Sequence, residues 1–502
     1  MTSLHHAARA ARTLAAGAAV AGALAGCAGP AIDANIAAAH ADVQGRAHID
    51  FQWLTSDAAR AQARDDVAAA LRQPLGEDDA VRIALSYSPA LQAVLFDRAA
   101  ASADATQSAR LPNPVFTLER LASGGVPDHI EVTRSLTLPL VDLLQLHSRM
   151  QGADATQQRL RLQLAVDVLR SADAARVAWV DAVAAGQSAR YARQVLDAAE
   201  AGTTLARRME AAGNFSALQR AREEAFEADA LTELARARRA QRTTRETLVR
   251  ALGLDAGQAA ALQLPEHLPD LPPAPPDGAS TSPAGTDAET VDAASADASR
   301  AALQSALDTR LDLQLAKARL AEVARVKGLT RAFKLVNGLA LGPERHDETG
   351  QANERGILLS VPLPVFDTGD AVAASGEAAY QAALQRTAAL AADAASQLRV
   401  AQGDLGDTYA LARTLRDRVV PLRATIAGDD LLRYNGMLAS VFELLADARE
   451  QARGVQQAIA AQRDFWLADA AWDTARAGIP TPADDVARSD DDGTTPSAKD
   501  AR

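Results

Sequence analysis

Twice along the chain, a stretch with strand-like alternation of apolar residues runs into a long segment of helical character. The clearer case is Arg355-Gly-Ile-Leu-Leu-Ser-Val-Pro-Leu-Pro-Val-Phe-Asp367-Thr-Gly-Asp. Pro362 and Pro364 end its alternation, and an Ala-rich helical pattern then continues past Leu398. A weaker copy, Val132-Thr-Arg-Ser-Leu-Thr-Leu-Pro-Leu-Val-Asp142, also precedes a long helix.

Taken in order, the pattern predicts a mixed stretch over 27–77, read as a strap on the outside of something larger. A first helical unit starts at Asp78-Asp79, whose carboxylates suit a helix N-terminus. It runs to about Leu111, where Pro112-Asn-Pro114 stops it. Val115–Leu121 and His129–Leu138 read as two strands around Gly124-Gly125 and Pro127. A helix follows from Leu143 to about Ala211, then a turn at Gly213-Asn-Phe-Ser, then a return helix from Ala217 to about Leu252. From Pro265 the chain turns Pro-, Ala-, Ser- and Asp-rich, which predicts a disordered linker over 265–300.

The same order then recurs. Ala302–Leu313 matches Ala80–Leu91, while Phe333–Gly342 and Gly356–Leu363 take the strand places. Asp367 matches Asp142 and Gly436 matches Gly213, all at offsets of about 222–225 residues. The reading is therefore two repeats, 78–264 and 301–478, with a loose polar tail at 479–502. In each repeat two shorter helices laid end to end match one helix of about 70 residues, about 100 Å at helical rise. Four strands cannot close a barrel, and open edges are not tolerated in lipid. Three chains would supply twelve strands, within the usual range of outer-membrane barrels. The predicted fold is mainly α with a small transmembrane β part, forming a trimeric α-barrel and 12-stranded β-barrel tube.

Composition narrows the function. Of 502 residues 48% are apolar but only 4% aromatic, so Ala-rich helices packed closely side by side fit better than one thick core. A formal charge of −12 argues against nucleic acid as a partner. The single cysteine, Cys27, excludes an intrachain disulfide. Arg9 and Arg12 precede an apolar segment ending Leu24-Ala-Gly-Cys27, which predicts a signal peptide over 1–26. Leu-Ala-Gly-Cys resembles the bacterial lipobox, which implies a lipoprotein acylated at Cys27, palmitate included; the alternative is an ordinary secretory signal with a chance Cys. Several acyl chains would anchor the protein firmly.

The assembled motifs resemble those of the TolC-like outer-membrane efflux proteins, in particular their lipid-anchored branch. Pro364-Val-Phe-Asp-Thr-Gly369 is similar to that family's strand-to-helix passage, and Ala84-Leu-Ser-Tyr-Ser-Pro89-Ala-Leu to its opening helix. Leu111-Pro-Asn-Pro-Val-Phe-Thr-Leu-Glu119 is similar to the start of its first strand, and Arg433-Tyr434-Asn-Gly436 through Arg449 to its tip turn and return helix. The first copy, Pro139-Leu-Val-Asp142, lacks both glycines of that passage, and Phe442 and Gln219 stand where the family often has an acid. The resemblance implies an outer-membrane, lipid-anchored homotrimer of a Gram-negative bacterium with a long periplasmic part. It would work with a periplasmic adaptor and an inner-membrane transporter, exporting solutes such as copper, other heavy metals or drugs. Pro139, Asp142, Pro364, Asp367 and Gly369 would shape the passage, and Gly213, Tyr434, Gly436 and Glu443 the periplasmic tip turn. The competing reading is a lipid-anchored periplasmic helical scaffold or adaptor without a pore.

No phosphate-binding Gly loop, His-Glu-x-x-His or Gly-x-Ser-x-Gly occurs, so neither enzyme activity nor a cofactor is expected. His129 and His346 fall in or beside the strands, where a rim histidine is a simpler reading than a metal contact. Glu223-Glu224 and Asp429-Asp430 read as solvated helix faces, and Trp466 and Trp472 as packing anchors.

Overall fold

The computed structural model describes residues 29–47, 49–122, 130–274, 304–333, 339–348, 352–361, 368–436, 438 and 440–479. Its helices are α1 (Gly29–Ala47), α2 (Asp57–Ala70), α3 (Glu77–Ser86) and α4 (Pro89–Ser108), then strands β1 (Val115–Ala122) and β2 (Ile130–Pro139). Next come α5 (Leu140–Ala211), α6 (Ala217–Leu252), α7 (Ala256–Ala261) and α8 (Leu311–Phe333), then β3 (Ala340–Glu348) and β4 (Glu354–Ser360). The last are α9 (Asp370–Thr414), a π-helical turn at Leu415–Val419, α10 (Val420–Asn435) and α11 (Val441–Ala477). The protein is thus mainly α with one small sheet, and α5 alone is 72 residues long.

The chain forms two compact units. The first takes its described residues from 1–42, 96–165 and 313–390 and holds the sheet. Its strands lie in the order β1-β2-β3-β4, every neighbour antiparallel. In this unit α1 is tied down by polar contacts: Asn35 Nδ2 donates to Ser102 Oγ (3.0 Å), and Asp42 takes a two-pronged bond from Arg161 (2.6 and 2.7 Å). A fork of this kind is the geometry in which Arg–carboxylate pairs are strongest.

The second unit takes 43–95, 166–312 and 391–502. Its core lies where Val67, Leu71 and Leu75 meet Ile83 and Ala84, Trp179 and Val183, and Leu248 and Leu252. Along α5 the buried positions Val168, Ala172, Ala175, Trp179, Ala182, Gly186 and Ala189 are spaced alternately four and three apart. That 3.5-residue period marks side-by-side helix packing of coiled-coil type, and small Ala and Gly side chains allow close approach. Trp179, 2% exposed, also donates its indole N–H to the Leu75 carbonyl at 2.8 Å.

Four expectations need correction. The helix expected over 78–111 breaks at Tyr87–Ser88, because Pro89 has no N–H for a continuing helix and restricts the residue before it. The helix expected over 302–331 breaks likewise, between a turn of helix at 304–309 and α8. The third strand is 340–348 rather than Phe333–Gly342; its sequence, Ala-Leu-Gly-Pro-Glu-Arg-His-Asp-Glu, is so polar that apolar alternation misses it. Residues 265–274, expected as linker, are packed instead. Leu268 and Leu271 are buried, Gln462 and Trp466 donate to the Pro269 carbonyl (2.7 and 3.1 Å), and Tyr409 donates to that of Pro272 (3.1 Å). The prolines leave carbonyls that side chains of α9 and α11 can satisfy. The rest of the 275–300 stretch, the 1–26 segment and the 480–502 tail lie outside the described residues.

The ends of the return helices share one construction. Ser216 and Ser440 are N-caps with reciprocal capping boxes to Gln219 and Glu443. Gly253 and Gly478 close the other ends at φ +70, a region where only glycine is unstrained. Each also packs against a helix break: a Cβ at Gly253 would run into Ser88 and Pro89, and one at Gly478 into Arg310, Leu311 and Asp312.

Candidate functional site: the sheet, the passages and the tip turns

Because successive strand residues point to opposite faces, the register fixes what each face of the sheet presents. Val115 pairs with Thr137, Glu131 with Glu348, and Ala340 with Ser360. One face therefore carries Phe116, Leu118, Leu136, Leu138, Leu341, Ile357 and Leu359, and all seven are exposed. The other carries mainly polar residues, Thr117, Glu119, Glu131, Thr133, Ser135, Thr137, Glu344, His346, Glu348 and Glu354, with the exposed Val115, Leu121 and Leu358 at its margins and between them. An exposed apolar face opposite a polar one is the pattern of a wall between lipid and water. β1 and β4 each have a strand partner on one side only among the described residues.

The polar face includes His346, whose Nδ1 lies 3.0 Å from Thr133 Oγ1 and 3.5 Å from a Glu131 oxygen. Among the described residues no group of three or more His, Cys, Asp and Glu is placed to hold a metal ion. His129 lies outside them. No described helix is long and apolar enough to cross a membrane.

Between β2 and β3 the backbones come so close at Gly342 that a Cβ there would overlap Leu136 and Thr137. The ladder skips Leu136 and Thr137 opposite this point, and Pro343, which has no N–H to donate, occupies the gap.

The two strand-to-helix passages differ. Pro139 ends β2 and α5 begins at the next residue, with Leu140 N donating to Leu339 O at 2.9 Å. Asp142, in the first turn of α5, bonds Arg149 at 2.9 Å, which in turn holds the Ser108 carbonyl at 3.0 Å. In the second passage Gly369 adopts φ +69 and its carbonyl accepts from Ala373 N (3.0 Å) at the start of α9. Pro364 and Asp367 lie outside the described residues, as does Cys27.

The two helix turns, at Gly213 and Gly436, also differ. Gly213 is left-handed, at φ +77, and Asn214 N reaches back to Met209 O (2.9 Å), the wrap that ends many helices. Gly436, at φ −81, is not left-handed, so the glycine matched to Gly213 in sequence does a different job. Tyr434 packs beside Phe215, Met209 and Leu445, which joins the two turns through one small apolar cluster. Glu443 is engaged in its capping box: Ser440 N donates to Glu443 Oε2 at 3.0 Å.

One member of each acidic pair is less solvated than expected. Glu223 is 4% exposed and paired with Arg449 at 2.6 Å, whose guanidinium also covers the Phe226 ring at 4.5 Å. Asp430 is buried, bonded by Arg433 at 3.3 Å, and its carboxyl raises that of Asp447 on α11 above the usual range. A helix packed on two sides by others has few solvated positions, which a single-helix pattern does not reveal. Trp466 and Trp472 do serve packing, against Phe465 and its neighbours.

A third charged group was missed in the sequence. Arg176 on α5 bonds Glu77 (2.8 Å) and Asp473 (3.1 Å), and Asp173 beside it accepts from Thr474 Oγ1 (2.9 Å). One cation thus faces several carboxylates. Burial raises the Glu77 and Asp173 carboxyls and pushes Asp469 up to about 6, helped by nearby Asp473. The residues lie some 400 positions apart in the chain (roughly, by their numbers), and no local spacing signals them.

No protein-family model and no curated protein matches the chain. Solved structures do. The outer membrane protein VceC of Vibrio cholerae superposes with a TM-score of 0.60 at 14% identity, covering 84% of this chain and 97% of that one. The Campylobacter jejuni CmeC outer membrane channel gives 0.65 at 11%, covering 83% and 88%. The Neisseria gonorrhoeae MtrE outer membrane channel gives 0.58 at 16%, covering 83% and 89%. The chain has the fold of these outer-membrane proteins.

Proposed function

We propose that this protein is the outer-membrane channel component of a tripartite efflux pump, built as a homotrimer and anchored through lipid at Cys27. The observation that carries the reading is the sheet: four strands, one exposed apolar face, one mainly polar face and two edges with no strand partner among the described residues. In a bilayer those edges must be satisfied, and pooling the strands of three copies into a closed barrel of twelve does so. The apolar face then meets lipid and the polar face lines the aqueous path. The shared fold with solved outer-membrane channels supports this arrangement.

The matching caps of α6 and α11 and the matching helix breaks support an internal duplication of 78–264 and 301–478. On this reading the protein performs no chemistry. It provides a wide aqueous path for solutes, with heavy-metal ions such as copper, or drugs, as the cargo classes. A periplasmic adaptor and an inner-membrane transporter meet its helical end and supply the free energy. The test is electrophysiological: purified protein added to a planar bilayer is expected to give stepwise conductance, and outer-membrane fractions to hold a heat- or detergent-resistant trimer. A membrane-bound protein with no conductance would favour the scaffold reading instead. Tolerance of a deletion strain to copper and to drugs identifies the cargo class.

A further inference from the structure

The exposed Leu and Phe residues of the apolar face end at a row of arginines, beyond which the face is mixed, with Val132 between Arg120 and Asp347. The pairings Leu118 with Arg134, Arg134 with Arg345, and Arg345 with Arg355 place three guanidinium groups on adjacent strands, at one level, on one face. Arg120 stands on the same face, one step further along β1. Like charges directly opposite one another on a sheet repel. Asp347 relieves part of this, bonding both Arg134 and Arg345 (2.9 Å to Arg345 Nε). One carboxylate against four arginines leaves a strong positive excess on a face that is otherwise apolar. The opposite face shows the reverse balance, with Glu119, Glu131, Glu344, Glu348 and Glu354.

We infer that this arginine row docks the phosphate layer of anionic lipid headgroups and so fixes the depth of the protein in the membrane. The inference rests on the channel reading. Its support is charge and distance. From Arg134 to the end of β2 and the start of α5 the chain advances roughly 20 Å along the strand, which is about 15 Å of height at the tilt of barrel strands, and the first helical turn, to the exposed Leu143 and Leu144, adds about 5 Å. The apolar run is then about 20 Å tall, most of the roughly 25 Å lipid-facing band of an outer-membrane barrel. The arginines stand at its upper limit, where long side chains lay their stems on lipid and hold the charge at the headgroups. Charged residues are tolerated on a lipid-facing surface at that depth and not midway.

The experiment uses the full-length protein reconstituted in phosphatidylcholine vesicles holding a small fraction of spin-labelled lipid. Electron paramagnetic resonance then reads the lipid held at the protein surface. Spin-labelled phosphatidylglycerol is expected to be held on the order of threefold more than spin-labelled phosphatidylcholine. The double variant Arg120→Gln with Arg355→Gln, which leaves the Asp347 pairs intact, should bring the ratio close to one. Glu119→Gln, on the same strand but the opposite face, should leave it unchanged. A ratio unaffected by the arginine changes, or altered equally by Glu119→Gln, overturns the inference while the channel reading stands. Absence of any immobilised lipid, with no conductance, overturns the channel reading and the inference with it.

Discussion

Arg310 is the clearest point at which a single side chain holds distant elements together. It lies at the break before α8, is 1% exposed and makes a two-pronged bond to Asp312, itself 6% exposed (3.1 and 2.7 Å). The same guanidinium donates to the Ala475 carbonyl (2.7 Å), the Ala394 carbonyl (3.5 Å) and Gln397 Oε1 (3.0 Å). One residue thus ties the helix break to α9 and α11. Arg310→Met keeps the length of the stem and removes every one of these donors. It removes the two-pronged bond to the buried Asp312 carboxylate, and breaking a buried pair from one side costs about 3–5 kcal/mol. The assay is thermal unfolding followed by helical circular dichroism in detergent, where the midpoint should fall on the order of 5–10 °C. The double variant Arg310→Met with Asp312→Leu should recover most of the loss, because an apolar pair of similar volume is often as stable as a buried ion pair. A loss under about 1 kcal/mol in the single variant would refute this reasoning, since a side chain that water can replace is not buried.

Other perturbations follow from the same geometry. Asp469, pushed up to about 6, binds its proton more tightly in the fold than in the open chain, so stability falls as pH rises from about 4 to about 6. Discounted by half for partial solvent access, the penalty at neutral pH is about 1.5 kcal/mol. Asp469→Asn should therefore raise the melting midpoint at pH 7.5 and leave it unchanged at pH 4; an equal effect at both would contradict the assignment. Gly342→Val should disrupt the β2–β3 contact, read as lost strand signal in the amide I infrared band with the helical signal intact. A normal sheet in that variant would mean the strands are not so close. Neutralising Glu119, Glu131 and Glu354 to Gln together should lower the cation-to-anion permeability ratio several-fold in bilayers (on the order of the field that one lined face supplies). An unchanged ratio would remove the polar face from the conducting path.

How much of this was legible in the sequence differs from element to element. β1, β2, β4 and α6 were readable because each carries its period in its own residues: alternation such as Val115-Phe-Thr-Leu, or a polar helix bounded by Ser216 and Gly253. β3 was not, since Glu344, Arg345, His346 and Asp347 earn their place through β2 and β4 on either side. The π-helical turn before Pro421 was likewise hidden. The proline ring crowds the carbonyl four residues back, and the helix answers with the wider turn at Leu415–Val419 instead of ending. The likeness of Gly213 and Gly436 was read from spacing, yet spacing says nothing about φ, and the two turns differ. The Arg310 and Arg176 contacts were out of reach because their partners are brought in by packing of helices far apart in sequence.

The central claim is that β1 of one copy closes against β4 of the next. Cysteine at Leu118 and at Arg355, in a protein whose Cys27 sulfur is taken up by the lipid anchor, places one thiol on each edge strand. Oxidation in membranes is expected to produce a ladder ending at the covalent trimer, with either single-cysteine variant giving no species beyond a dimer. A double-cysteine protein that stays monomeric on oxidation, while its conductance is intact, would contradict that closure.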